Sequence, residues 1–254
     1  MSEVENNWEK RPAEVAFRSI TKRFPPDILA NDRVSFEVKK GTVHALLGEN
    51  GAGKTTLMNI LYGLFSPDEG EIIIRGKSVK ISSPREAINL GIGMIHQHFK
   101  LIPTHAVAEN IVLGLTSIPF FFTAEKAEAE IKSLSEKYGL KVDPRAHVWQ
   151  LSAGEKQKVE ILKALYRKAN ILILDEPTSV LTPQEAEELF ATLRAMKEEG
   201  KTCIFITHKL NEVKEIADAV TVMRKGKVVS TILPSQVSLE ELARMTVGKE
   251  VISV

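Results

Sequence analysis

The segment at residues 48–55 constrains this chain more than any other. It reads Gly-Glu-Asn-Gly-Ala-Gly-Lys-Thr, which fits the pattern of two glycines bracketing four residues and followed by Lys-Thr. A strand-like apolar run at 43–47 precedes it, and a helix-like run at 56–61 follows. A glycine-rich turn would explain the glycines but not the Lys-Thr pair at a helix start. The segment therefore predicts a phosphate-binding loop between a strand and a helix.

The residue types in this loop suit a nucleotide. Glycines let backbone N–H groups turn toward phosphate oxygens, and the helix N-terminus adds partial positive charge. We expect Lys54 to reach the β- and γ-phosphates and the Thr55 hydroxyl to ligate Mg²⁺. The predicted ATP contacts in this segment are Gly48, Glu49, Asn50, Gly51, Ala52, Gly53, Lys54, Thr55 and Thr56.

Size and composition set broad limits. With 254 residues, 43% of them hydrophobic, the chain can bury the core of one large domain or of one domain with an inserted subdomain. A formal net charge of +1 argues against strong generic nucleic-acid binding. The single cysteine, Cys203, fits a reducing compartment. The polar first eleven residues do not resemble a signal peptide, so we expect a cytoplasmic location.

Strand-like and helix-like runs alternate along most of the chain. This alternation predicts a largely parallel sheet flanked by helices. Residues 1–12 are expected to form a flexible leader, and strands are expected near 15–17 and 33–38. From about residue 99 to 151 strand signals become sparse, which predicts an inserted helical subdomain.

A second motif is an apolar strand at 171–174 that ends in Asp175 and Glu176. Ligands of open α/β sheets bind at the carboxyl ends of strands. Asp175 is expected to hold Mg²⁺, and Glu176 to polarise the attacking water. The alternative is a pair of turn acids, which the nearby phosphate loop disfavours.

A third motif is Leu-Ser-Ala-Gly-Glu at residues 151–155. Ser152 and Glu155 form a capping box, since a serine N-cap is followed three residues later by a glutamate. Capping alone would explain these two residues but does not require Gly154. The functional interpretation is a second anion site at a helix N-terminus, formed with Ser152 and Gly154.

The order of these motifs resembles the ATP-binding subunit of ABC transporters over residues 13–248. The resemblance implies a P-loop NTPase fold of the ABC type, with a mostly parallel core, an antiparallel β subdomain and the helical insertion. It implies that Gln97 contacts Mg²⁺ and the attacking water, that His208 is the switch histidine and that Phe24 stacks on adenine. Taken alone, these residues could be a loop amide, a neighbour of a helix N-cap and a core ring.

Two departures from the family pattern affect these expectations. In the signature segment, usually Leu-Ser-Gly-Gly-Gln, Ala153 and Glu155 replace a glycine and the glutamine. After Glu176, Thr182 stands where the family has an aspartate that links the two sites of a dimer. Ser152 and Gly154, the expected phosphate contacts, remain in the signature, so communication between the sites is the property that Thr182 puts in question.

The segments at residues 107–114, 159–167 and 181–185 resemble the first half of tandem ATPases that serve simple-sugar and nucleoside importers. Residues 245–251 resemble the junction after that half. We therefore expect an N-terminal half, with residues 249–254 as a tail or the start of a linker.

The resemblance implies an Mg-ATP-hydrolysing importer motor that works as a nucleotide-sandwich dimer. Ser152 and Gly154 would then serve the ATP held by the partner ATPase unit. Implied partners are permease subunits, which would hold the chain at the inner face of the membrane, and an extracytoplasmic solute-binding protein. A groove beside Gln97, with residues 99–103 in its wall, is expected to grip the permease. Two alternatives remain: an ABC ATPase without a transporter, and a regulatory nucleotide-binding half with weak hydrolysis.

Overall fold

The computed structural model describes residue 8, residues 10–115 and residues 123–248. The predicted tail at 249–254 and most of the predicted leader lie outside the described residues. Within them, the strands form one antiparallel and one mostly parallel sheet.

The antiparallel sheet has the strand order β2-β1-β4-β5. Its strands are β1 (Ala13–Phe24), β2 (Ile28–Lys39), β4 (Glu69–Ile74) and β5 (Lys77–Val79). The first two are longer than the expected runs at 15–17 and 33–38. Register shifts between them, with positive φ angles at Ser19 and Arg33, break the alternation that marks a strand in the sequence.

The larger sheet has the order β10-β9-β3-β8-β7-β6, and only β10 runs antiparallel to its neighbour. Its strands are β3 (Val43–Leu47), β6 (Ile92–Ile95), β7 (Ile171–Asp175), β8 (Thr202–Thr207), β9 (Ala219–Arg224) and β10 (Lys227–Ile232). Every residue of β3, β7 and β8 is buried, as expected for parallel strands covered on both faces.

Helices cover both faces of this sheet. They are α1 (Lys54–Leu61), α2 (Pro84–Asn89), α3 (Val107–Val112), α4 (Ala124–Lys137), α5 (Ala153–Tyr166), α6 (Pro183–Glu198), α7 (Leu210–Ile216) and α8 (Leu239–Val247). Serine or threonine hydroxyls cap the N-termini of α2, α4, α5, α6 and α8, so side chains satisfy backbone N–H groups there.

The core lies on both sides of the larger sheet, and β7 divides it. Ile171 and Ile173 pack with residues of α1 and the antiparallel sheet. Leu172 and Leu174 pack on the opposite face with residues of α3, α4, α5 and α6. Alternate residues of a strand point to opposite faces, so β7 contributes side chains to the core on both sides of the sheet.

The described part of residues 99–151 contains α3 and α4, with an isolated bridge between Ala106 and His147. This composition agrees with the expected helical insertion, whose boundaries stay a prediction. Among the described residues, no helix is both long and apolar enough to cross a membrane.

Candidate nucleotide site

The loop between β3 and α1 has the geometry of a phosphate cradle. Gly51 and Gly53 have φ angles of 80° and 95°, which side-chain-bearing residues rarely adopt. A Cβ on Gly53 would lie 2.3 Å from the carbonyl oxygen of Ala30, and one on Gly48 would lie 2.4 Å from that of Met223. Glycine is therefore required both for the turn and for the close approach of β2 and β9.

Lys54 is folded back over this loop. Its Nζ donates hydrogen bonds to the carbonyl oxygens of Gly48 (2.7 Å) and Glu49 (2.9 Å), and the residue is 5% exposed. Burial lowers the pKa of Lys54, while the nearby carboxylates of Glu176 and Asp175 raise it. The ammonium group is thus held beside the loop that would bind phosphate.

Thr55 and Asp175 bring two oxygen ligands together from distant parts of the chain. The Thr55 hydroxyl donates a hydrogen bond to Asp175 Oδ1 over 3.3 Å. Burial raises the pKa of Asp175, as does the adjacent Glu176, whereas Thr55 and Lys54 lower it. A hydroxyl and a carboxylate beside a phosphate loop fit Mg²⁺, which takes one or two protein oxygens and completes its shell with phosphate and water.

Three residues that the sequence singled out, Glu176, His208 and Gln97, lie close together in the structure. Glu176 Oε1 lies 3.0 Å from His208 Nδ1, and Gln97 Nε2 lies 3.5 Å from Glu176 Oε2, the outer limit of a hydrogen bond. Glu176 has a φ of 47°, and its N–H donates to Ile206 of β8. This left-handed backbone lies immediately after the last residue of β7, Asp175.

Ser152 and Gly154 lie at the start of α5. Ser152 caps this helix reciprocally with Glu155, as the sequence predicts. Gly154 packs so closely on α6 that a Cβ there would lie 2.3 Å from Glu185 Oε1. Among the hydrogen bonds of the described residues, none joins Ser152 or Gly154 to the phosphate loop of the same chain.

Phe24 ends β1 and is half-buried. Its ring packs edge-on against Phe65 with 5.2 Å between centroids, and Lys22 Nζ lies 5.6 Å from its centre. The role of Phe24 toward adenine stays a prediction.

Two residues that support the site were not singled out from the sequence. Asn31 is fully buried in β2 and donates from Nδ2 to the carbonyl oxygen of Gly53. Gln157 of α5 donates from a buried position to the carbonyl oxygen of Pro177, just after Glu176. A buried asparagine in a strand is unusual, and that polarity was the available signal for Asn31.

Comparison with known proteins identifies the family of this chain. The family model described as ABC transporter matches residues 31–179. The nucleoside import ATP-binding protein NupA of Lactococcus lactis is 52% identical over 91% of this chain and 46% of its own length. The guanosine import ATP-binding protein NupO of Bacillus subtilis is 52% identical over 92% of this chain and 46% of its own length. The chain thus spans about half the length of these relatives.

Solved structures give the same result for the fold. The ADP conformation of the ATP-binding cassette MJ1267 has a TM-score of 0.80 at 26% identity, covering 94% of this chain and 97% of that one. The dimeric structure of the bacterial cassette MJ0796 has a TM-score of 0.77 at 26% identity, covering 87% and 98%. The chain therefore belongs to the ABC transporter family, as an ATP-binding domain.

Proposed function

We propose that this chain is an Mg-ATP-hydrolysing motor of an importer for nucleosides or simple sugars. The observation that carries the proposal is the meeting of His208 and Gln97 on the Glu176 carboxylate, beside Lys54 and the Thr55–Asp175 pair. A loop that only bound nucleotide would need no such arrangement at the end of β7.

Each residue has a distinct task. The loop N–H groups and Lys54 bind the β- and γ-phosphates, and Thr55, Asp175 and Gln97 hold Mg²⁺. The metal ion, when bound, neutralises charge on the phosphate oxygens. Glu176 orients the attacking water and accepts its proton. The His208 ring bonds Glu176 through Nδ1, so that Nε2, across the ring, can hold the γ-phosphate.

The site is completed by a second ATPase unit, either another half or a second copy. Ser152 is exposed, and in the described chain its side chain bonds its own helix rather than the phosphate loop. The start of α5 can therefore bind the γ-phosphate of ATP held by the partner unit. Similarity to a cassette solved as a dimer supports this arrangement.

The importer assignment rests on the relatives, whose names describe nucleoside and guanosine import. A cavity of about 110 Å³ lies beside β6. His96, the residue before Gln97, is part of its lining. The polar lining of the cavity comes from His96, Lys100, Glu160, Lys163 and Arg167. We assign this groove to a cytoplasmic segment of the permease, which would hold the chain at the inner face of the membrane. A solute-binding protein would deliver the solute on the other side.

The test is the solution mass of Glu176→Gln protein with and without Mg-ATP. Removing the proton acceptor should leave ATP bound but slow its hydrolysis by at least about 100-fold, within the range for general-base loss. An ATP-dependent dimer supports two copies completing each other's sites. Protein that binds ATP yet stays monomeric means that a different half is required. Unchanged turnover removes Glu176 from catalysis.

A second candidate is a regulatory half with weak hydrolysis, which the threonine at position 182 favours. Turnover of the unmodified chain together with its partner half separates the two functions. Co-purification with a permease separates the importer from an ABC ATPase that has no transporter.

A further inference from the structure

Glu212 lies in the first turn of α7 and is buried among polar groups from three segments. Its Oε1 accepts a hydrogen bond from the Thr178 hydroxyl (2.5 Å), and its Oε2 accepts one from the Thr207 hydroxyl (2.8 Å). Lys209 Nζ lies 3.1 Å from Oε1. We call these four residues the Glu212 cluster; Glu212, Thr178 and Thr207 are at most 9% exposed.

The two threonines flank the residues proposed to hydrolyse ATP. Thr178 lies two residues after Glu176, and Thr207 immediately precedes His208. Thr178 follows β7 and Thr207 ends β8, and these two strands pair in parallel, with Asp175 opposite Ile206. A single carboxylate therefore joins the two segments whose separation sets the 3.0 Å contact between Glu176 and His208.

The hydrogen-bond pattern requires two acceptor oxygens. Each threonine hydroxyl has one proton, which it donates to Glu212. Each hydroxyl also accepts a hydrogen bond from Lys209. The donor to Thr178 is Lys209 Nζ at 3.2 Å, and the donor to Thr207 is the Lys209 backbone N–H at 3.0 Å. A glutamine at position 212 offers one acceptor and one donor. One hydroxyl would then lose its acceptor in a buried place, so one strand end would shift.

We propose that Glu212 is a positioning residue that fixes the distance between Glu176 and His208. This inference rests on the proposed ATP hydrolysis. Among the hydrogen bonds of the described residues, none joins Glu212 to Glu176 or His208, so it acts through Thr178 and Thr207. Loss of the cluster should therefore slow the chemical step while leaving ATP binding, which depends on the residues of the phosphate loop, nearly unchanged.

The main test compares Thr178→Val with Thr178→Ser. Valine keeps the volume of threonine but lacks the hydroxyl, whereas serine keeps the hydroxyl and loses a methyl group. We expect Thr178→Val to lower kcat by about 10- to 100-fold, as misplacement of catalytic groups does, with KM for ATP changed less than about twofold. Thr178→Ser should retain most of kcat. If Thr178 served packing alone, Thr178→Ser would lower kcat more than Thr178→Val, and that result would overturn the proposal.

Glu212→Gln should lower kcat like Thr178→Val, and the double variant should lose little more than either single change, because the residues act as a unit. The control is Glu14→Gln, which changes another buried glutamate, bonded to Arg75 in the antiparallel sheet. It should leave kcat unchanged. An equal loss of kcat in Glu14→Gln and Glu212→Gln, or independent effects in the double variant, contradicts the proposal.

A spectroscopic readout keeps the inference separate from the proposed function. The imidazole nitrogen spectrum of His208, assigned with a His208→Gln variant, should change in Thr178→Val and stay close to wild type in Thr178→Ser. If the unmodified chain and its partner half hydrolyse no ATP, the proposed function fails, while this spectrum still tests the positioning. An unchanged His208 spectrum in Thr178→Val overturns it.

Discussion

His44 should make the folded chain sensitive to mild acid. It lies in the centre of β3, fully buried, with Nε2 2.8 Å from the Thr221 hydroxyl and its ring stacked on Phe36. Its Nδ1 is buried, and it has no partner among the described residues. Burial lowers the pKa of His44 from 6.5 to about 3, because a charged ring at this position would lose its hydration.

The size of the effect follows from proton linkage. Between pH 6.5 and about pH 3 the unfolded chain binds a proton at this site and the folded chain does not. The free energy of unfolding therefore falls as the pH is lowered through that window. At about pH 5, roughly 1.5 pH units below the unfolded pKa, the loss relative to pH 8 is about 2 kcal/mol at 1.36 kcal/mol per unit.

Urea unfolding at pH 8 and pH 5 should reveal this loss when the wild-type chain is compared with His44→Phe. Phenylalanine keeps a ring against Phe36, and Thr221 keeps its hydrogen bond with Thr231. Other groups titrate alike in both proteins, so their contributions cancel. We expect the wild type to lose about 2 kcal/mol more than His44→Phe between the two pH values. Equal losses would refute the argument from burial.

Two further predictions concern the backbone. Gly53→Ala should lower the free energy of unfolding more than Gly76→Ala. Both positions have positive φ, which costs an alanine about 1–2 kcal/mol. Only at Gly53 would the new Cβ also clash with a backbone atom, the carbonyl oxygen of Ala30. Equal costs in urea unfolding would contradict this reasoning. Ser238→Ala should cost about 1 kcal/mol because it removes the N-cap of α8, whereas the exposed neighbour Ser235→Ala should cost almost nothing. A cost at Ser235 matching that at Ser238 would argue against capping.

Local patterns predicted much of the fold because they report local physics. Strand β10 begins directly after a lysine–glycine turn at residues 225–226, which is a local signal for the start of a strand. The N-caps at Ser83 and Ser238 are local in the same sense, because each depends on residues within one helical turn. The irregular β1 and the short β5 were missed or shortened because bulges and pairing partners are not local.

The sequence predicted which residues form the site, but not which of them contact each other. Glu176 and His208 are 32 residues apart and Gln97 is 79 residues from Glu176, and no sequence period encodes their contact. The roles of Gln97 and His208 came from resemblance to a family, whereas that of Glu176 came from its place at the end of a strand. The structure adds the contacts of Asn31, Gln157 and Glu212, whose partners lie on separate segments and are brought together only by the fold.

The strand order also has a consequence for folding during synthesis. Strand β3, which leads into the phosphate loop, pairs with β8 and β9, so that Val43 lies opposite Cys203 and His44 opposite Ala219. Neither edge of this apolar strand can be paired until more than 150 further residues have been made. Such long-range parallel pairing is slow and leaves strand edges open to aggregation. The emerging chain therefore carries its nucleotide loop without either neighbouring strand of the larger sheet while those residues are made.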